Sequence, residues 1–228
     1  MALDPESIEA QSYLALNLTG RMLGGVTVSA AADIARAEGL TGQALAGSPR
    51  SPLAHYARGE VLRAQRREAE AILEYETVLA LNRNWPGALF ALGNCKLFTG
   101  SIEETIPLEE KAIRLSPRDP GIGVWYLQIG RVHLIQSRTG GAIVWLEKAR
   151  TANAAHPLIR GHLAAAYGLN GESELATAEL AEARRVSPDG HYMSIARVKA
   201  GYFGVPSVRA LYEATYFDGL RKAGMPED

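Results

Sequence analysis

The chain has 228 residues, and its 24 Lys and Arg against 25 Asp and Glu leave a formal net charge of −1. With no concentrated basic run to neutralise phosphates, nucleic acid is not an expected partner. No window approaches eighteen uninterrupted apolar residues, and the opening Met1-Ala-Leu-Asp-Pro-Glu6 has no basic stretch ahead of an apolar one, so no membrane association is expected and the expected location is cytoplasmic.

In chain order, the opening Ala2-Leu-Asp-Pro5 reads as the last turn of a preceding helix, as though the chain began inside a longer array and were a fragment of a larger protein. Residues 8–18 follow as a first helix. Gly24-Gly25-Val-Thr-Val-Ser29 reads as an insertion ahead of a second helix over 32–47, which closes before Pro49. A 34-residue echo then takes over. Gly59, Gly93, Gly130 and Ala164 share one position, followed twelve residues later by Ala71, Thr105, Ala142 and Ala176. The register continues with Tyr75, Glu109, Leu146 and Leu180, then Val78, Ala112, Ala149 and Ala183, and closes near Arg83, Pro117, Ala154 and Pro188. Small residues at fixed offsets inside apolar periodicity indicate helices stacked closely and repeatedly.

The units fall at 52–85, 86–119, 123–156 and 157–190, the third displaced by Pro120, Gly121 and Ile122. Each is an expected antiparallel helix pair. Pro52, Pro86 and Pro157 sit at first helical positions, where a missing N–H is not needed. Gly100 and Gly171 supply turns between paired helices. Ser101-Ile-Glu-Glu104 predicts a capping box, which puts Pro107 about six positions into its helix and predicts a kink there. Cys95, the only cysteine, lies in a helical stretch of small side chains and is expected to be a buried, inert thiol. After Pro188 the spacing fails. Ser194 to Ala200 reads as a short helix, and Pro206 opens a longer one whose face Val208, Leu211, Tyr212, Thr215, Tyr216 and Leu220 predicts a cap over the last repeat.

This register resembles the tetratricopeptide repeat (TPR) family over about 180 of the 228 residues. The resemblance implies an all-α fold: a right-handed superhelix, or α-solenoid, of about five helix pairs over 1–190, the first (about 8–51) carrying the insertion, with a C-terminal cap over 191–228. The family's inner helices line a concave surface that binds proteins or peptides. Carried over position by position, that surface comprises Tyr56, Glu60 and Arg63, then Phe90, Asn94 and Leu97, then Leu127, Arg131 and Leu134. The family's carboxylate clamp is not matched, because Tyr56 and Glu60 stand where its first Lys and Asn would be, and only Asn94 and Arg131 fit loosely.

A narrower resemblance lies in the tail. Gly201-Tyr-Phe-Gly-Val-Pro-Ser-Val-Arg-Ala-Leu-Tyr-Glu-Ala-Thr-Tyr-Phe-Asp-Gly-Leu-Arg-Lys-Ala-Gly-Met-Pro-Glu227 is similar to the end of certain bacterial class III adenylate cyclases, as are Tyr75 to Trp85 and Gly100 to Glu104. No catalysis transfers, because the metal-binding aspartates of that family's cyclase domain have no counterpart here. His55, His133, His156, His162 and His191 share no helix-face spacing, and no phosphate loop or nucleophile turn occurs, so neither metal nor cofactor is expected. The expected function is a non-catalytic protein-interaction or regulatory module, the C-terminal region of a bacterial nucleotidyl cyclase. The alternative is a stand-alone scaffold or self-associating adaptor. Self-association is expected from apolar surface around Tyr13, Leu14 and Leu18.

Overall fold

The computed structural model describes residues 7–23, 28–187 and 189–228, all of whose regular structure is helical. The opening Ala2 to Pro5, residues 24–27 of the insertion and the closing Pro188 lie outside the described residues. The chain divides into two compact units, the first ending at Lys96 and the second running from Leu97 to Asp228.

In the first unit, α1 (Ile8–Leu23) pairs with α2 (Ala30–Gly47), and α3 (Pro52–Ala64) pairs with α4 (Glu68–Leu81) before α5 (Pro86–Thr99) begins. Helix α3 starts as the sequence indicates. Ser51 accepts a hydrogen bond from the Ala54 amide at 3.2 Å and Pro52 takes the first helical position. The repeat's small position has a direct physical basis: a Cβ on Gly59 would stand 2.5 Å from the fully buried Tyr75 ring. Leu18 is buried and Leu14 packs against the same core, so of the apolar patch expected at α1 only Tyr13 is left in solvent, 62% exposed.

The second unit contains α6 (Thr105–Leu115), α7 (Ile122–Ile135), α8 (Thr139–Ala152), α9 (Pro157–Asn170) and α10 (Ser173–Arg185). Here a Cβ on Gly130 would meet Leu146 at 2.7 Å, the counterpart of the Gly59–Tyr75 contact. The intra-pair turns share one left-handed position, held by Arg66 and Gly100 (φ 61° and 98°) and by Ser137 and Gly171 (φ 58° and 82°). Successive pairs are joined by a buried polar lock. Glu179, with its side chain 8% exposed, accepts from Arg150 at 2.5 Å and from Arg160 at 2.7 Å.

One local expectation fails. Ser101 makes no side-chain cap; Ile102–Glu104 is instead a 3₁₀ turn, and α6 begins at Thr105. The reason is Pro107. Starting at Thr105 places it third in the helix, within the first turn, where an amide has no intrahelical acceptor. The conflict expected six residues into a helix therefore disappears, and a change of helix type takes the place of the kink.

The last segment has a 3₁₀ turn at His191–Met193, then α11 (Ile195–Ala200), capped by the Ser194 hydroxyl accepting from the Arg197 amide at 3.3 Å. Pro206 opens α12 (Pro206–Tyr212), which continues through a π-helical turn at Glu213–Phe217 into α13 (Asp218–Lys222). The chain end returns to α11, where Ile195 and Ala196 amides donate to the Pro226 and Glu227 carbonyls at 2.9 Å. Val208, Tyr212, Tyr216 and Leu220 are buried as expected, and Leu211 is half-buried. Their seat is wider than a cap over one repeat.

Candidate interaction surface

In the first unit, Tyr56 is half-buried, its ring 5.4 Å from that of Trp85 and 6.0 Å from that of Tyr75. A Cβ on Gly87 would lie 3.1 Å from its hydroxyl, which places Tyr56 against the start of α5. Glu60 is satisfied internally, with one oxygen accepting from the Tyr75 hydroxyl at 2.7 Å and the other from Arg63 at 2.6 Å. Burial first, and then the Glu60 charge, hold the Tyr75 phenol well above its ordinary 10.0. Glu60 and Arg63 thus form a neutral, largely buried pair on α3. Phe90 and Asn94 are half-buried on α5, and the neighbouring Cys95 is fully buried, its thiol pushed up to about 12 by burial, as the inert reading requires.

In the second unit, Leu97 and Leu134 are fully buried and Leu127 nearly so. Arg131 is 9% exposed. What covers this face is the chain's own C-terminal segment. Phe203 stacks on Phe98 with ring centres 4.2 Å apart, and the Val205 amide donates to the Phe98 carbonyl at 3.0 Å. Tyr216 lies flat on His162 at 4.2 Å and 18°. The crossing with α9 is backbone against backbone: a Cβ on Gly219 would stand 2.3 Å from the Ala165 carbonyl, and one on Gly168 would stand 2.4 Å from the Gly219 carbonyl. A Cβ on Gly161 would strike Tyr192 at 2.2 Å.

Arg131 is the centre of this contact. Its Nε donates to His162 Nε2 at 3.2 Å and its Nη1 to Gln128 Oε1 at 3.3 Å, with the guanidinium 5.5 Å over the Phe98 ring. His162 Nδ1 lies 2.7 Å from the Leu158 carbonyl and must carry the proton, which leaves Nε2 as the acceptor. Burial first, and then the Arg131 charge, hold His162 well below its ordinary 6.5. His156 is lowered by the same two causes and His191 by burial. Tyr202 and Tyr212 bring two further buried phenols to the same cluster, their rings 4.2 Å apart.

Of the nine residues carried over from the repeat family, the structure therefore brings Leu127, Arg131 and Leu134 together beneath the C-terminal segment, and seats Tyr56, Glu60 and Arg63 around Tyr75. Sequence reasoning missed Gly161, Ala165 and Gly168, which stand 34 residues beyond Leu127, Arg131 and Leu134. Three small residues at positions otherwise taken by large ones were a readable sign of a close-packed neighbour. Elsewhere on the unit, an open groove of about 580 Å³ is lined by residues including Ile122, Tyr126, Val144 and Lys148, with Lys148 lying 4.1 Å over the Trp145 ring. Among the described residues, no group of three or more His, Cys, Asp or Glu side chains is placed to hold a metal, and no helix is long and apolar enough to cross a membrane.

Antiparallel helix pairs closing on a small residue at a 34-residue spacing, lengthened once by three, define the fold as the all-α solenoid of TPR proteins. Structural comparison agrees. TTC0263, a thermophilic TPR protein in Thermus thermophilus, superposes with a TM-score of 0.63 at 20% identity, over 91% of this chain and 98% of that one. PilW, a widely conserved type IV pilus biogenesis factor, gives 0.64 at 18% identity over 94% and 98%. YrrB, a TPR protein with an unusual peptide-binding site, gives 0.54 at 14% identity over 81% and 92%. At these identities the likeness is one of fold. No protein-family model matches the sequence, and no curated protein matches it.

Proposed function

We propose that the chain is a non-catalytic module that binds a protein or peptide through the first helix in each pair: Tyr56, Phe90 and Asn94 in the first unit, and, once the C-terminal segment is lifted from it, the Leu127, Arg131 and Leu134 face in the second. The observation that carries this reading is that the second face already holds a polypeptide segment, seated by ring stacking and glycine-mediated backbone approach, which are the means by which such surfaces accept helices. Aromatic and arginine side chains supply most of the energy at protein interfaces. Capture of partners by the full chain, compared with a Tyr56→Ala/Phe90→Ala/Arg131→Ala variant that remains helical by circular dichroism, tests it. Retention of the same partners with unchanged affinity would move the site elsewhere.

The tail sequence further supports reading the chain as the regulatory region of a bacterial class III cyclase, acting in the cytoplasm, with residues 1–190 as the array and 191–228 as its closing segment. The test is the gene: a cyclase domain encoded in the same reading frame supports this role, and a frame without one leaves the stand-alone adaptor. Product formed above background by the isolated chain would overturn the non-enzymatic reading.

A further inference from the structure

We propose that the α7–α9 face is a docking surface for an amphipathic helix bearing a carboxylate among its aromatic residues, and that residues 201–228, which set only uncharged rings against Arg131, are an occupant of that seat which such a partner displaces. This inference rests on the protein-binding reading above and specifies its partner.

The ground for it is an imbalance of charge. A guanidinium does not deprotonate in a protein, and Arg131 is almost wholly withdrawn from water. Yet its hydrogen-bond acceptors, His162 and Gln128, are neutral, and among the described residues no carboxylate forms an ion pair with it. Another cation of the unit with little exposure is treated differently, since Arg160 closes on the buried Glu179, which Arg150 also reaches from the preceding pair. An uncompensated buried charge is costly, and a carboxylate brought to it in a water-excluding site is bound strongly.

The resident segment cannot supply one. The groups it sets against the Arg131 charge are the tyrosines Tyr212, Tyr202 and Tyr216, whose phenols carry no charge. Its acids lie elsewhere: Glu213 pairs with Lys199 at 2.7 Å and Arg221 at 2.8 Å, Glu227 pairs with Arg221 at 2.5 Å, Asp218 pairs with Lys222 at 2.9 Å, and Asp228 is exposed at the chain end. The seat itself selects the rest of the ligand. Gly168 and Ala165 admit a helix only where it carries a glycine, as at Gly219, and His162 asks for a flat ring three residues earlier, as at Tyr216. A carboxylate four residues before that ring, at the place of Tyr212, would face Arg131.

Three labelled peptides spanning residues 201–228 serve as probes against the full chain: the unaltered sequence, Tyr212→Glu and Tyr212→Gln. Anisotropy should show the Glu peptide binding about tenfold or more tightly than the Gln peptide. Hydrogen exchange should show the chain's own residues 206–222 losing protection as it binds. Arg131→Gln in the full chain should abolish the preference. The same substitutions placed in the chain itself give a second readout, in which Tyr212→Glu should melt higher than Tyr212→Gln with Arg131 present and no higher with Arg131→Gln. Equal affinities for the Glu and Gln peptides, a preference that survives Arg131→Gln, or equal melts in the chain would overturn the proposal. The partner-capture test above reads the general binding function independently of these outcomes.

Discussion

Glu109 offers a direct test of the physical reasoning. It is fully buried in α6, neither carboxyl oxygen has a hydrogen-bond partner, and burial alone holds it well above its ordinary 4.5. Its counterparts in the repeat register are Tyr75, Leu146 and Leu180, all buried. In the unfolded chain the carboxyl ionises above about pH 4.5, whereas in the folded chain burial delays its ionisation to higher pH, so its contribution to stability is intact below that pH and declines as pH rises. Each pH unit over which burial holds the carboxyl neutral costs about 1.4 kcal/mol. An unsatisfied buried polar group adds roughly 1–3 kcal/mol more. Glu109→Gln should remove the pH-dependent part and Glu109→Leu both parts, as leucine already fills this position in the next two repeats. Urea melts of the three proteins from pH 4.5 to 8 measure it. The gap between wild type and Glu109→Gln should widen with pH, and Glu109→Leu should lie above Glu109→Gln by roughly 1–3 kcal/mol across the range and above wild type by more than that at pH 7. If wild type and Glu109→Gln run parallel across that range, the carboxyl is solvated or paired and the burial argument is wrong.

Deleting residues 206–228 should destabilise the second unit and promote aggregation. Val208, Tyr212, Tyr216, Phe217 and Leu220 are all buried, and at about 1.5–3 kcal/mol each they contribute roughly 7–15 kcal/mol before ordering costs; an unchanged urea midpoint and solubility would contradict this. His162 is held neutral by burial and by Arg131, so its contribution is present above pH 6.5 and lost as pH falls below it. His162→Gln should therefore flatten the acid limb of stability between pH 6.5 and 5 by about 1.4 kcal/mol per unit, and equal slopes in the two proteins would place the sensitivity on other groups. Ser137 occupies the left-handed turn position that Gly100 and Gly171 fill elsewhere. Ser137→Gly should stabilise by about 0.5–1 kcal/mol, the relieved backbone strain less the added chain entropy, and a lower melting temperature would refute it.

Much of this architecture was legible from residue spacing because its determinants are local or recur at a fixed interval. Gly59 and Gly130 announce close helix pairs since only hydrogen fits where Tyr75 and Leu146 press in. Pro52 and Pro157 mark helix starts, and the stripe from Val208 to Leu220 marks a buried helical face, for reasons contained in a single turn of chain. The Ser101 capping box was misjudged because two local rules competed there, and the cost of placing Pro107 inside a helix outweighed the gain from a side-chain cap.

What only the tertiary structure decided is where the C-terminal helix goes. Spacing shows that it has an apolar face, but its seat on Phe98, Arg131 and His162 brings together residues from 54 (His162 and Tyr216) to 105 (Phe98 and Phe203) positions apart, through contacts that have no period. The same holds for the states of Arg131, His162 and Glu109: charge and protonation in a protein interior depend on which groups exclude water, and that is settled only when distant segments pack. The amino-acid sequence by itself determined an array of helix pairs with an amphipathic tail. Tertiary packing decided that the tail lies on the α7–α9 face of the array, because the glycine and alanine seat in α9 lets a helix backbone approach there more closely than side chains would allow.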